Sequence, residues 1–137
     1  MNYKYSICHP NKEEIEYKND LISEKEVINI AKNYPWLEQL KLMATNDKIF
    51  YNPSLDFKCV ENGKSFALTA ELNKSNQLEF SLWYNRPKKI KVLFGLFGET
   101  EKMVVSDIWH FNFDNAIKYI ELFVNGNYQI LEELYKK

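Results

Sequence analysis

Residues 77–85 read Gln77-Leu78-Glu79-Phe80-Ser81-Leu82-Trp83-Tyr84-Asn85. Leu78, Phe80, Leu82 and Tyr84 alternate with Gln77, Glu79, Ser81, Trp83 and Asn85. This two-residue period belongs to a strand with one apolar face. The period recurs on both sides, at 48–51, 55–61, 65–72, 89–97 and 102–110. Turn chemistry separates these runs at Asn62-Gly63, Asn73-Lys74-Ser75-Asn76, Arg86-Pro87-Lys88 and Gly98-Glu99-Thr100. Short connections between consecutive strands imply antiparallel neighbours, so the region is predicted to be a meander of about five strands.

Outward from the meander the period changes. Toward the N-terminus, Tyr3, Tyr5 and Ile7 alternate with polar neighbours as a strand, and a returning strand is predicted near 14–17. Ser23 followed by Glu26 is a capping box, and Ile22 and Val27 occupy its hydrophobic staple. Val27, Ile30, Ala31 and Tyr34 then share a helical face, which Pro35 brings to an end. The stretch 36–44 fits either a short helix or a strand. Toward the C-terminus, Phe113, Ala116, Ile117, Ile120 and Phe123 form one helical stripe, with Asn112 as cap and Asn125-Gly126 as stop. Ile130, Leu131 and Leu134 suggest a last short helix. The expected class is α+β: an antiparallel β-meander of about five strands with an N-terminal helix and a C-terminal helical segment, in a single domain over 1–137.

Composition narrows the function. With 18 Lys and Arg against 19 Asp and Glu, the net charge is −1. Phosphate neutralisation normally needs a basic excess, so nucleic acid is a poor partner. The run Arg86, Lys88, Lys89 and Lys91 reads as one solvated turn. No apolar stretch approaches the ~18 residues of a membrane span, and no signal-peptide pattern is present, so a cytoplasmic location is expected. Cys8 and Cys59 do not make a disulfide framework and read as buried thiols.

The sequence motifs of chemistry are missing. Cys8-His9 is the one close pair of soft ligands, and adjacent strand residues point to opposite faces, so no metal and no cofactor are expected. Gly95-Leu96-Phe97-Gly98 lacks the spacing of a phosphate cradle. Glu13-Glu14 and Glu132-Glu133 read as solvated faces. No catalytic residue is assigned, and the chain is expected not to be an enzyme.

Binding has a physical candidate. On the polar side of the meander, Glu71, Glu79, Trp83 and Asn85 surround an aromatic anchor with polar groups, the usual composition of an interaction hot spot. Trp83 shares that side with Leu93 and Phe97 of the next run. Either the C-terminal helix covers them or a partner does. The helix is the expected cover, because helices usually bury their stripe on a sheet.

Val105-Ser106-Asp107-Ile108-Trp109-His110-Phe111, running into the helix from Phe113, resembles the C-terminal portion of some bacterial immunity proteins of contact-dependent inhibition and polymorphic toxin systems. Tyr34-Pro35-Trp36-Leu37 is similar to their first, tryptophan-containing helical region. The resemblance covers about a third of the chain. It implies stoichiometric inhibition: docking on a cognate toxin domain and blocking its active site or substrate path. Immunity proteins against nucleases are often strongly acidic, whereas this chain is nearly neutral. Either its toxin is not strongly basic or its acidity is local. Two rivals remain: a small-molecule carrier of the helix-grip kind, and an enzyme using His110 with Asp107 or Asp114.

Overall fold

The structure, a computed structural model, describes residues 1–91 and 98–136. Two strands open the chain, β1 (Tyr3–Cys8) and β2 (Glu16–Ile22), followed by helices α1 (Glu24–Asn33) and α2 (Trp36–Thr45). Strands β3 (Ser54–Cys59), β4 (Ser65–Leu72), β5 (Leu78–Lys91) and β6 (Glu99–Phe111) come next. Helices α3 (Phe113–Val124) and α4 (Tyr128–Tyr135) close it. The class is α+β as expected, with six strands in one antiparallel sheet, ordered β2-β1-β3-β4-β5-β6.

The helix ends form where the sequence places their signals. Ser23 and Glu26 exchange both capping-box hydrogen bonds at α1. Asn112 Oδ1 accepts from the Asn115 N–H at α3. Beyond α3, Gly126 adopts a φ of +76°. The N–H groups of Gly126 and Asn127 return to the carbonyls of Phe123 and Leu122, which closes a Schellman motif. The ambiguous stretch after Pro35 is helical. Trp36 decides it by burying its ring against Phe80 and donating its indole N–H to the Ala31 carbonyl at 3.0 Å.

The sheet register sorts the side chains into rows. Tyr5, Phe57, Phe66 and Tyr84 lie side by side across four strands, and Ile7, Leu55, Leu68, Leu82 and Ile108 form the next row on the same face. That face meets the helices. Phe123 stacks on Phe66 at 5.6 Å, and Val27, Ala31, Ile120 and Leu131 complete the buried core. Rows on the other face carry Lys4, Lys58, Ser65 and Asn85, then Ser6, Asp56, Ala67, Trp83 and Asp107, then Cys8, Ser54, Thr69 and Ser81.

Four expectations change. Residues 48–51 are not a strand; the Phe50 N–H bonds the Pro10 carbonyl in the link between α2 and β3. Arg86-Pro87-Lys88 is not a turn but the middle of β5. Pro87 lies beyond the last β4 pairing, at Asn85, so β5 has there only β6 as neighbour, and proline is tolerated in such an edge-like position. Glu99 and Thr100 belong to β6 rather than to a turn. The C-terminal helices do not cover Trp83, because they pack on the opposite face, over Phe80, Leu82 and Tyr84. Leu93 and Phe97 lie outside the described residues.

Candidate functional site

The face that the helices leave open carries two adjoining hollows. Its centre is floored by short side chains, among them Ser6, Ser54, Ala67 and Thr69, which keep the sheet surface low. Tyr17 from β2 rises on one side, and Trp83 and Val105 from β5 and β6 rise on the other. They line a common hollow of about 360 Å³. A second hollow of about 500 Å³ adjoins it through Ser6, Tyr17 and Asp56, and reaches Lys4, Lys58, Asn85 and Met103. Crowding by the surrounding sheet pushes the Asp56 carboxyl up, and Lys58 draws it partly back.

The strongest apolar feature of the face is a pair of tryptophans. Trp83 and Trp109 meet edge to face with centroids 5.9 Å apart. Each indole N–H is satisfied on its own strand, Trp83 by Ser81 Oγ at 2.9 Å and Trp109 by Asp107 Oδ2 at 2.6 Å. These bonds hold the rings on the surface, with Trp83 half-buried and Trp109 43% exposed. Met103 and Val105, both exposed, continue the apolar line along β6.

A β-bulge completes this end of the face. Leu82 pairs with Ile108 and Phe80 with Phe111, so Trp109 and His110 together oppose Ser81. Strict alternation would send His110 toward the helices and Phe111 outward. The extra residue reverses that assignment, with His110 at a φ of +75° and Phe111 packed on Tyr119. His110 Nδ1 consequently reaches Glu79 Oε2 at 2.9 Å, and Asn73 Nδ2 donates to Glu79 Oε1 at 2.8 Å. The Asn73 and His110 hydrogen bonds lower the Glu79 pKa, and Glu79 raises that of His110. Glu71 stands directly across from Glu79 in the β4–β5 register.

The four residues singled out from sequence therefore share one face but not one cluster. Glu71 and Glu79 lie together at one end, Trp83 is next to Trp109 near the middle, and Asn85 sits on the row of Lys4 and Lys58. Sequence reasoning missed Trp109 as the partner of Trp83 and the floor of short side chains. It also misplaced Arg86, Glu132 and the carboxylate beside His110. The carboxylate beside His110 is Glu79, while Asp107 is taken by Trp109. Arg86 is no member of a solvated basic run. It is 3% exposed, bonds Glu132 Oε1 at 2.7 Å, and donates to Ser106 Oγ and the Tyr84 and Val104 carbonyls. Glu132, expected on a solvated face, is its counter-ion.

Two other arrangements bear on the rival readings. Phe66, Phe80, Tyr84, Phe123 and Leu131 fill the space between sheet and C-terminal helices where a helix-grip carrier would hold its ligand. Both histidines bond carboxylates, His9 to Glu16 and His110 to Glu79, and among the described residues neither bonds a serine or cysteine. No described helix is long and apolar enough to cross a membrane. Comparison of the chain with protein-family models, with curated proteins and with solved structures gives no match.

Proposed function

We propose that this chain is an immunity protein, which docks the open face of its sheet on a bacterial toxin domain and blocks that domain's active site or substrate path. One observation carries the reading: a sheet face left uncovered by all four helices presents the Trp83–Trp109 pair beside a hollow floored by short side chains. Uncovered aromatic anchors with polar surroundings are what partner-binding surfaces are made of. The segment on which the resemblance rests supplies part of that face, since Trp109 reaches it by alternation from Asp107 and His110 through the bulge. Local acidity answers the near-neutral net charge. Glu71 and Glu79 lie toward one end, Asp56 and Asp107 on the middle row, and Lys4 and Lys58 toward the other end, so the face can complement a partner of mixed charge.

Co-expression with the toxin domain encoded beside this chain tests the reading. The wild-type chain should restore growth and co-purify with the toxin at a one-to-one ratio. A folded Trp83→Ala/Trp109→Ala double variant should do neither. Full protection by that variant would contradict the assignment of the face. A chain that protects against no neighbouring toxin would contradict the function itself.

A further inference from the structure

The bulge gathers three metal-ligating side chains that sequence spacing conceals. Glu71, Glu79 and His110 each place one ligand atom so that all lie within 4.8 Å of one another. They line a pocket of about 470 Å³ at the end of the open face. Neighbouring groups prepare the set. Asn73 Nδ2 holds one Glu79 oxygen and leaves the other toward His110, the kind of outer hydrogen bond that orients a coordinating carboxylate. Glu71 and Glu79 face each other directly across two strands, and like charges so placed destabilise a sheet. Lys74 lines the same pocket, yet among the described residues it forms no ion pair with either carboxylate. A cation between the two glutamates would convert their repulsion into coordination.

We propose that Glu71, Glu79 and His110 bind a divalent transition-metal ion, with zinc as the reference ion. One imidazole nitrogen with two carboxylates suits borderline ions such as zinc better than calcium or magnesium, which prefer oxygen alone. Around a tetrahedral ion with bonds of about 2.0–2.2 Å the donors close to about 3.4 Å of one another, which side-chain rotation supplies. Three protein ligands leave the fourth position to water. The ion takes the place of the hydrogen bond between His110 Nδ1 and Glu79 Oε2, so zinc competes with the proton there. The site shares the open face with the proposed docking surface, but metal binding is read in the absence of any partner, so its failure and that of the toxin reading are distinguishable.

Isothermal titration of zinc chloride into the full chain, freed of metal with EDTA, provides that measurement. One ion per chain should bind. His110→Ala and Glu79→Gln should each weaken binding at least ~10-fold, while His9→Ala changes nothing. Circular dichroism confirms that the variants fold. Absence of saturable binding would overturn the proposal. So would binding that survives both His110→Ala and Glu79→Gln, or that is lost in His9→Ala and so belongs to the Cys8-His9 pair.

Discussion

Arg86 and His110 show how far a residue's role can lie from its local sequence. Arg86 stands among lysines, but its guanidinium is enclosed between the Tyr84 ring, 4.9 Å away, and Glu132. Its hydrogen bonds tie β5, β6 and α4 together. Arg86→Ala leaves two carbonyls and a hydroxyl without their donor and Glu132 without its counter-ion. The variant should lose about 3 kcal/mol of stability by urea denaturation. Glu132 keeps access to water, which holds the loss at the lower end for a broken buried pair. His110 makes the opposite case, being open to solvent. Its pKa is raised above the ordinary 6.5 by the hydrogen bond to Glu79, with Glu71 adding to it, while that of Glu79 lies below 4.5. The histidine's contribution to stability is complete below 6.5 and fades as pH rises through its raised pKa. That of the glutamate is complete above 4.5 and fades as pH falls. The pair is therefore strongest between these values. An NMR titration should find the His110 imidazole midpoint above 6.5 and bring it down in Glu79→Gln. A midpoint unmoved by that substitution would remove Glu79 as its cause.

At the scale of elements, local chemistry was legible and long-range pairing was not. The capping box of α1 and the Schellman close of α3 depend on residues three to five apart, and both formed as read. Ser23→Ala removes one bond of the box and should cost α1 about 1 kcal/mol, seen as a lower denaturation midpoint. The apolar alternation of 77–85 also held, because Phe80, Leu82 and Tyr84 are buried to 0% exposure and tolerate no one-residue slip. Proline at 87 misled because its meaning depends on where β4 ends, a fact of tertiary pairing. The bulge in β6 was invisible for a related reason. Trp109-His110 alternates like its surroundings, and only the pairing with Ser81 shows two residues facing one. Glu79 and His110 lie 31 residues apart, so nothing local announces their contact. The site was thus half legible: Glu71, Glu79, Trp83 and Asn85 could be put on one face, but their neighbours across strands could not.

The whole molecule is a sheet with one committed face and one uncommitted face. Aromatic and aliphatic rows meet the helices, and Phe123, packed against Tyr3, Phe66 and Tyr84, stands at the centre of that layer. Phe123→Ala should cost about 3–5 kcal/mol and reduce cooperativity in thermal denaturation. The opposite face contributes little to the core, so Trp83→Ala and Trp109→Ala should each leave the thermal midpoint within a few degrees of wild type. On the proposed function, loss of either central aromatic anchor should weaken affinity for the toxin domain by about 2 kcal/mol, roughly 30-fold. This division of labour between faces is the central claim, and the three tryptophans report on it together. Trp36 is in the core, with its indole N–H on the Ala31 carbonyl, whereas Trp83 and Trp109 are on the open face. Indole N–H resonances followed by NMR while the proposed toxin partner is added give one signal for each. The Trp83 and Trp109 signals should shift or broaden with saturation at one equivalent, and the Trp36 signal should stay in place. A partner that binds and leaves Trp83 and Trp109 unmoved would contradict the account.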